Sequence, residues 1–166
     1  MKRSLLILSF LLFSITQANC QKEKNIRITE PEFSGIAVFV NDTIGTGVLL
    51  EQQTAKLGGV ITLKYLLKNC CSTVFADTIN SQFIVRVSDN SMNPFDEISI
   101  IKMKIENSKR TWVFAKPETV EFKAIKYRAS SYLITIPRFA PGQYGICFKN
   151  SNSVNLFGVK LIKESF

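Results

Sequence analysis

Phe139-Ala140-Pro141-Gly142-Gln143-Tyr144-Gly145-Ile146 is the stretch that decides the fold. Proline and glycine in succession make a tight turn. The chain then leaves the turn as a strand, and because successive side chains alternate, Tyr144, Ile146 and Phe148 fall on one side. A tyrosine on a buried side must satisfy its hydroxyl, and it can do so by bonding back to nearby backbone.

The same period of two recurs outward from this turn. Ser131 to Ile136 align Tyr132, Ile134 and Ile136, and Leu156 to Ile162 align Phe157, Val159 and Leu161 with Lys160 opposite. Gly35 to Val40 align Ile36, Val38 and Val40, while Gly59 to Leu67 align Ile61, Leu63, Tyr65 and Leu67 against Thr62 and Lys64. Gln82 to Val87 turn Phe83, Val85 and Val87 inward. Ile98 to Ile105 carry Ile101, Met103 and Ile105 on one side and Lys102 and Lys104 on the other. In Thr111 to Lys116, Trp112 and Phe114 share a face and are expected in the core. The polar, short link Glu106 to Arg110 predicts a β-hairpin. Val120 to Arg128 change parity midway, which predicts a β-bulge near Ala124-Ile125. Thr43 to Gln53 read as a further strand bent at Gly45 and Gly47, and Gln52 to Leu57 as a short helical turn.

Turn signals such as Glu30-Pro31, Asn41-Asp42, Asn93-Pro94 and Asn150-Ser151-Asn152-Ser153 separate these runs. The pattern predicts an all-β chain: a single antiparallel β-sandwich, immunoglobulin-like or jelly-roll-like, of about eight to ten strands. A closed barrel is the alternative.

At the N-terminus, Lys2 and Arg3 precede the apolar run Leu5 to Phe13, and small and polar residues follow up to Cys20. This predicts a cleaved secretory signal peptide over residues 1–20 and one domain over 21–166. The apolar run is short of the roughly 20 residues that span a bilayer, so the mature chain is expected to have no transmembrane span. Cleavage before Asn19 or before Gln21 both fit, and lipidation at Cys20 is a third option. The expected setting is the periplasm, outer envelope or extracellular space.

The chain has 166 residues and a formal net charge of +8. Removing the leader takes away Lys2 and Arg3 and no acid, leaving 8 − 2 = +6. Lys102, Lys104, Lys109, Arg110, Lys123, Lys126 and Arg128 form a candidate surface for an anionic partner if the strands carrying them are neighbours. Nucleic acid is the less favoured of such partners, because no aromatic residues are expected interleaved on that face.

There is no histidine. That removes Ser-His-Asp and Cys-His catalysis and histidine-ligated metals. Glu30, Glu32, Glu51, Asp77, Glu118 and Glu121 offer carboxylates, but no spacing singles out a hydrolytic pair. Gly45-Thr46-Gly47 lacks the third glycine of a nucleotide loop. The oxygen-rich run Asp89 to Glu97 fails the calcium-loop pattern and reads as a turn. No cofactor or metal is expected. Cys70, Cys71 and Cys147 remain after the leader, so a disulfide from Cys70 or Cys71 to Cys147 is a candidate, with three buried free thiols as the alternative.

The Pro-Gly-x-Tyr element resembles the turn before a late strand in many sandwich domains of the immunoglobulin-like and related kinds. Together with Ile28 to Gly35 and Asn155 to Val159, it makes the chain similar to uncharacterised secreted or cell-envelope β-sandwich proteins of Bacteroides-type bacteria. The resemblance implies an envelope setting and carries no catalytic residue. The functional expectation is an exported, non-enzymatic binding, adhesion or structural module whose partner is an envelope protein or glycan. A small carboxylate-dependent hydrolase acting on polysaccharide is the alternative, and assembly through an exposed sheet edge is a third reading.

Overall fold

The computed structural model describes residues 28–41, 45–59 and 62–160. The leader 1–20, Cys20 and Leu161 lie outside the described residues. Among the described residues the chain is nearly all-β, with fourteen strands: β1 Ala37–Asn41, β2 Thr46–Leu49, β3 Glu51–Thr54, β4 Lys56–Gly58, β5 Lys64–Leu67, β6 Phe75–Ala76, β7 Ile79–Arg86, β8 Ile98–Glu106, β9 Lys109–Val113, β10 Glu118–Thr119, β11 Lys123–Tyr127, β12 Ser131–Arg138, β13 Gly142–Phe148 and β14 Ser153–Val159. A helical turn among these residues, α1 Pro94–Glu97, is capped by Asn93.

Two sheets pack face to face. The smaller runs β11-β12-β7-β1-β2, and the larger β3-β14-β13-β8-β9-β5-β4, with β10 on β8 and β6 on β14. All the pairings are antiparallel except β6 with β14. Phe39, Phe83, Val85, Tyr132, Ile134 and Ile136 from the smaller sheet meet Ile98, Ile100, Tyr144, Ile146, Phe157 and Val159 from the larger. This is the sandwich core, about 10 Å thick in such packings.

The deciding turn behaves as its residues dictate. Tyr144 is buried and its hydroxyl donates to the Ala140 carbonyl at 2.6 Å. Tyr144→Phe is therefore expected to lower unfolding free energy by about 1 kcal/mol, read as a lower urea midpoint at unchanged slope. The 106–110 hairpin is also present: Glu106 pairs with Lys109 across Asn107 and Ser108, both with positive φ. Two such residues make the primed turn that matches strand twist.

The larger sheet has a feature beyond a sandwich. β3 and β4 lie at opposite ends of its strand order, yet only Ala55 separates them in the chain. The sheet therefore rolls until its ends meet. Inside the roll sits a second cluster: Ala55, Leu67, Ile101, Met103, Trp112, Val154 and Leu156, with Tyr65 and Cys147 against it. Gly145 permits the tight wall, since a Cβ there would lie 2.4 Å from the Met103 methyl and 2.5 Å from Val154. The sandwich and this roll thus share one sheet, and no pairing of β3 with β4 closes the roll into a barrel among the described residues.

Several expectations are corrected. Residues 52–57 are not helical; they form β3 and β4. The strand expected over 43–53 breaks at buried Leu50, where the chain passes from the smaller sheet to the larger. No bulge occurs at Ala124-Ile125, because β11 pairs in continuous register from Lys123–Thr135 to Tyr127–Ser131. The parity change has another cause. The chain crosses from β10 on the larger sheet to β11 on the smaller, so Val120, Phe122 and Ala124 close the sandwich while Tyr127 faces away. In β1 the sandwich core takes Ala37 and Phe39; Val40 belongs to a small outer cluster with Ile84 and Leu133. Phe114, expected in the core, is exposed, as are Leu63 and Ile105 on their apolar strand faces. The described residues form fourteen strands where eight to ten were expected, in part because chain segments break where they change sheets, as at Leu50 and between β10 and β11.

Candidate functional site

The rolled end of the larger sheet opens to solvent at a cavity of about 380 Å³. Tyr65 on β5 and Trp112 on β9 are register partners, so their rings project from the same face. They stack at 4.9 Å between centroids, and Phe114 adds a third ring 5.6 Å from Tyr65. The opposite rim is the exposed turn Asn150-Ser151-Asn152, held to the roll because the Ala55 amide donates to the Asn152 carbonyl at 2.7 Å. An aromatic wall facing amide and hydroxyl groups is the composition of a small-molecule site. Sequence reasoning placed Tyr65 and Trp112 on strand faces but read Asn150 to Ser153 only as a turn. Nothing local shows that this turn closes a cavity.

Cys147 also lines this cavity, and burial pushes its thiol up to about 12. It is therefore held as an uncharged, weakly nucleophilic thiol. Cys70, Cys71 and Cys147 are all free, so the expected bridge to Cys147 is not formed. The reason is placement. Ser72, next to Cys71, donates its amide to the Gln143 side chain. Cys71 is exposed, whereas Cys147 packs against the cluster inside the roll.

The cations of the expected stripe are divided. Lys102 and Lys104 share a groove of about 240 Å³ with Lys64, Lys116, Glu106 and Glu118. Lys64 meets Glu106 at 2.7 Å and Lys102 meets Glu118 at 3.1 Å. The Lys64 hydrogen bond holds the Glu106 carboxyl below its ordinary value, and the Glu118 hydrogen bond and charge hold Lys102 above its own. Lys109 is exposed at the hairpin end. Lys123, Lys126 and Arg128 belong with β11 at the edge of the other sheet, where charge guards against strand addition. Arg110 is a correction: it is fully buried, not a surface cation. Its position in β9 puts it opposite Leu67 and Ile105, and its side chain runs to Glu51 and the Asn69 carbonyl.

The 89–97 oxygens serve local structure. Asp89 accepts from the Ser91 amide and hydroxyl, both at 2.8 Å, and Asn93 accepts from the Phe95 amide. A further groove of about 410 Å³ lies between β8 and the 119–122 crossing, flanked by Phe95 and Phe122. Of its lining side chains only Glu121 is charged, so it lacks the convergent polar groups of the aromatic cavity. Among the described residues no helix is long and apolar enough to cross a membrane. No family model matches the chain, and neither a curated protein nor a solved structure does.

Proposed function

We propose that the chain is an exported, non-enzymatic binding module of the cell envelope that takes a glycan at the mouth of the roll. The observation that carries this reading is the stacked Tyr65–Trp112 pair lining one cavity with Asn150, Ser151 and Asn152. A sugar ring offers an apolar face to an aromatic side chain and a hydroxyl rim to amides, so the two walls suit its two surfaces. The basic head and apolar run of residues 2–13 support export. The hydrolase alternative is weakened by the groove acids. The Lys64 hydrogen bond holds the Glu106 carboxyl below its ordinary value, which does not suit it to donate a proton as a general acid.

Calorimetric titration of the mature chain with a panel of neutral and acidic oligosaccharides tests this. Tyr65→Ala is expected to weaken binding about tenfold, or ~1.4 kcal/mol, and Asn152→Ala by a smaller factor. Binding by no member of the panel, or binding indifferent to Tyr65→Ala in a folded variant, overturns the proposal. So does turnover of any member.

A further inference from the structure

Cys70 and Cys71 lie in the turn after β5, and their sulfurs approach to 2.7 Å. That is closer than non-bonded sulfurs ordinarily sit and only about 0.7 Å beyond the length of a disulfide bond. The approach is held from both sides. Before the pair, Asn69 has a φ of 62° and its carbonyl accepts from Arg110 Nε at 3.2 Å. After it, buried Ser72 donates its amide to Gln143 at 3.0 Å and its hydroxyl to the Leu156 carbonyl at 3.2 Å. Two strands of the roll and one fully buried side chain thus fix the backbone on either side of the pair. Cys71 is exposed and Cys70 half-buried, so one sulfur is open to a reagent while its neighbour stands beside it.

We propose that Cys70 and Cys71 form a two-electron redox site that closes to a vicinal disulfide by exchange with a small-molecule disulfide. The Cys71 thiolate attacks one sulfur of the oxidant RSSR, breaking its S–S bond and releasing one RS⁻. Cys70, after losing its proton to solvent, attacks the Cys71 sulfur, expels the second RS⁻ and closes the ring. The two protein thiols lose two electrons and two protons, and RSSR leaves as two RSH.

The ring is strained. Consecutive Cα atoms stand about 3.8 Å apart across a trans peptide, short of the usual 4.4–6.8 Å range for disulfides. Strained, exposed disulfides are the easily reduced ones, so the site cycles instead of acting as a permanent staple. The hydrogen bond with Cys70 comes first among the causes that hold the Cys71 thiol above its ordinary value, with the Arg110 charge opposing. Exchange needs the thiolate, so its rate rises with pH through the alkaline range.

The test uses the mature chain equilibrated in glutathione buffers of graded ratio, then acid-quenched, alkylated, digested with trypsin and weighed. In the more oxidising buffers, peptide 69–86 is expected to be lighter by two hydrogens and unalkylated, and to revert as the reduced form increases. Peptide 139–149 should carry Cys147 as a free thiol throughout. Cys70→Ser is expected to stop at the mixed disulfide, a single glutathione adduct on Cys71. Alkylation of both Cys70 and Cys71 at every ratio overturns the proposal, as does a crosslink from either one to Cys147 or to a second chain. A Cys70→Ser variant free of adduct overturns the order of attack.

Discussion

Phe157→Ala is expected to destabilise the protein by about 3–5 kcal/mol, the range for deleting a buried aromatic ring. Phe157 is fully buried at the centre of the sandwich, with ring centroids of Phe83 at 4.7 Å, Phe139 at 5.4 Å and Tyr144 at 5.6 Å. Phe83 and Tyr144 sit on strands paired on both sides, and the Phe139 amide donates to the Thr78 carbonyl, so the cavity cannot collapse cheaply. Domains of this size have about 5–15 kcal/mol in total, so the loss is a large share. The informative readout is where the change is seen. The single tryptophan, Trp112, lies in the roll and not in the sandwich. Strands β8, β13 and β14 supply residues to both clusters, Ile100 beside Ile101 and Phe157 beside Leu156. Loss of packing on one face should therefore be felt on the other. Urea unfolding of Phe157→Ala is expected to move the Trp112 fluorescence and far-ultraviolet circular dichroism transitions together. A fluorescence transition that stays at its wild-type midpoint while the dichroism shifts would mean that the roll folds independently.

That shared sheet also explains which parts of the fold were legible in the residues. A strand whose core face alternates with polar residues declares itself by that alternation. Phe83, Val85 and Val87 did so beside Gln82 and Arg86, as did Tyr132, Ile134 and Ile136 beside Ser131 and Thr135, although Ile84 and Leu133 on the outer face are buried too. The Pro-Gly-x-Tyr turn and the 106–110 hairpin were legible because their causes are local. Strands buried on both faces carry a weaker signal. Ile98-Ser99-Ile100-Ile101 and Leu156-Phe157 are adjacent apolar pairs feeding two cores, and alternation assigns them to only one. The 52–57 stretch reads as a helical turn because Gln52, Gln53 and Lys56 look solvated; its strand character comes from pairing with β14 on one side and β5 on the other. The aromatic cavity needs three segments far apart in sequence, around Tyr65, Trp112 and Asn150, so only their faces and turns were readable. Arg110 was read as exposed since arginine is almost never fully buried unless paired.

Arg110 is where the largest effect of opposite sign is expected. Its guanidinium is fully buried, Nη2 stands 3.8 Å from Glu51 Oε1, and neither Nη1 nor Nη2 has a hydrogen-bond partner. Only Nε is bonded, to the Asn69 carbonyl. Taking a cation out of water costs several kcal/mol, and one long ion pair with two unsatisfied nitrogens does not repay it. Arg110→Met fills a similar volume among Leu67, Ile105 and the roll without the charge. It is expected to raise unfolding free energy by about 1–4 kcal/mol, the range for replacing buried ion pairs with apolar side chains. Glu51→Gln should act the other way, because it leaves the cation buried with no counter-charge. About 3 kcal/mol is expected, the low end for a broken buried pair, since Glu51 is itself partly exposed. In the Arg110→Met background the same Glu51→Gln change should cost well under 1 kcal/mol, so the two effects are strongly non-additive. Guanidinium-chloride unfolding of the two single variants and the double variant measures that coupling. Its value distinguishes the charge of Arg110 from its bulk: a destabilised Arg110→Met with additive Glu51→Gln would mean that the side chain acts through packing and its Asn69 bond. Strong coupling would instead identify Arg110–Glu51 as a polar lock that sets β3 against β9 at the cost of stability.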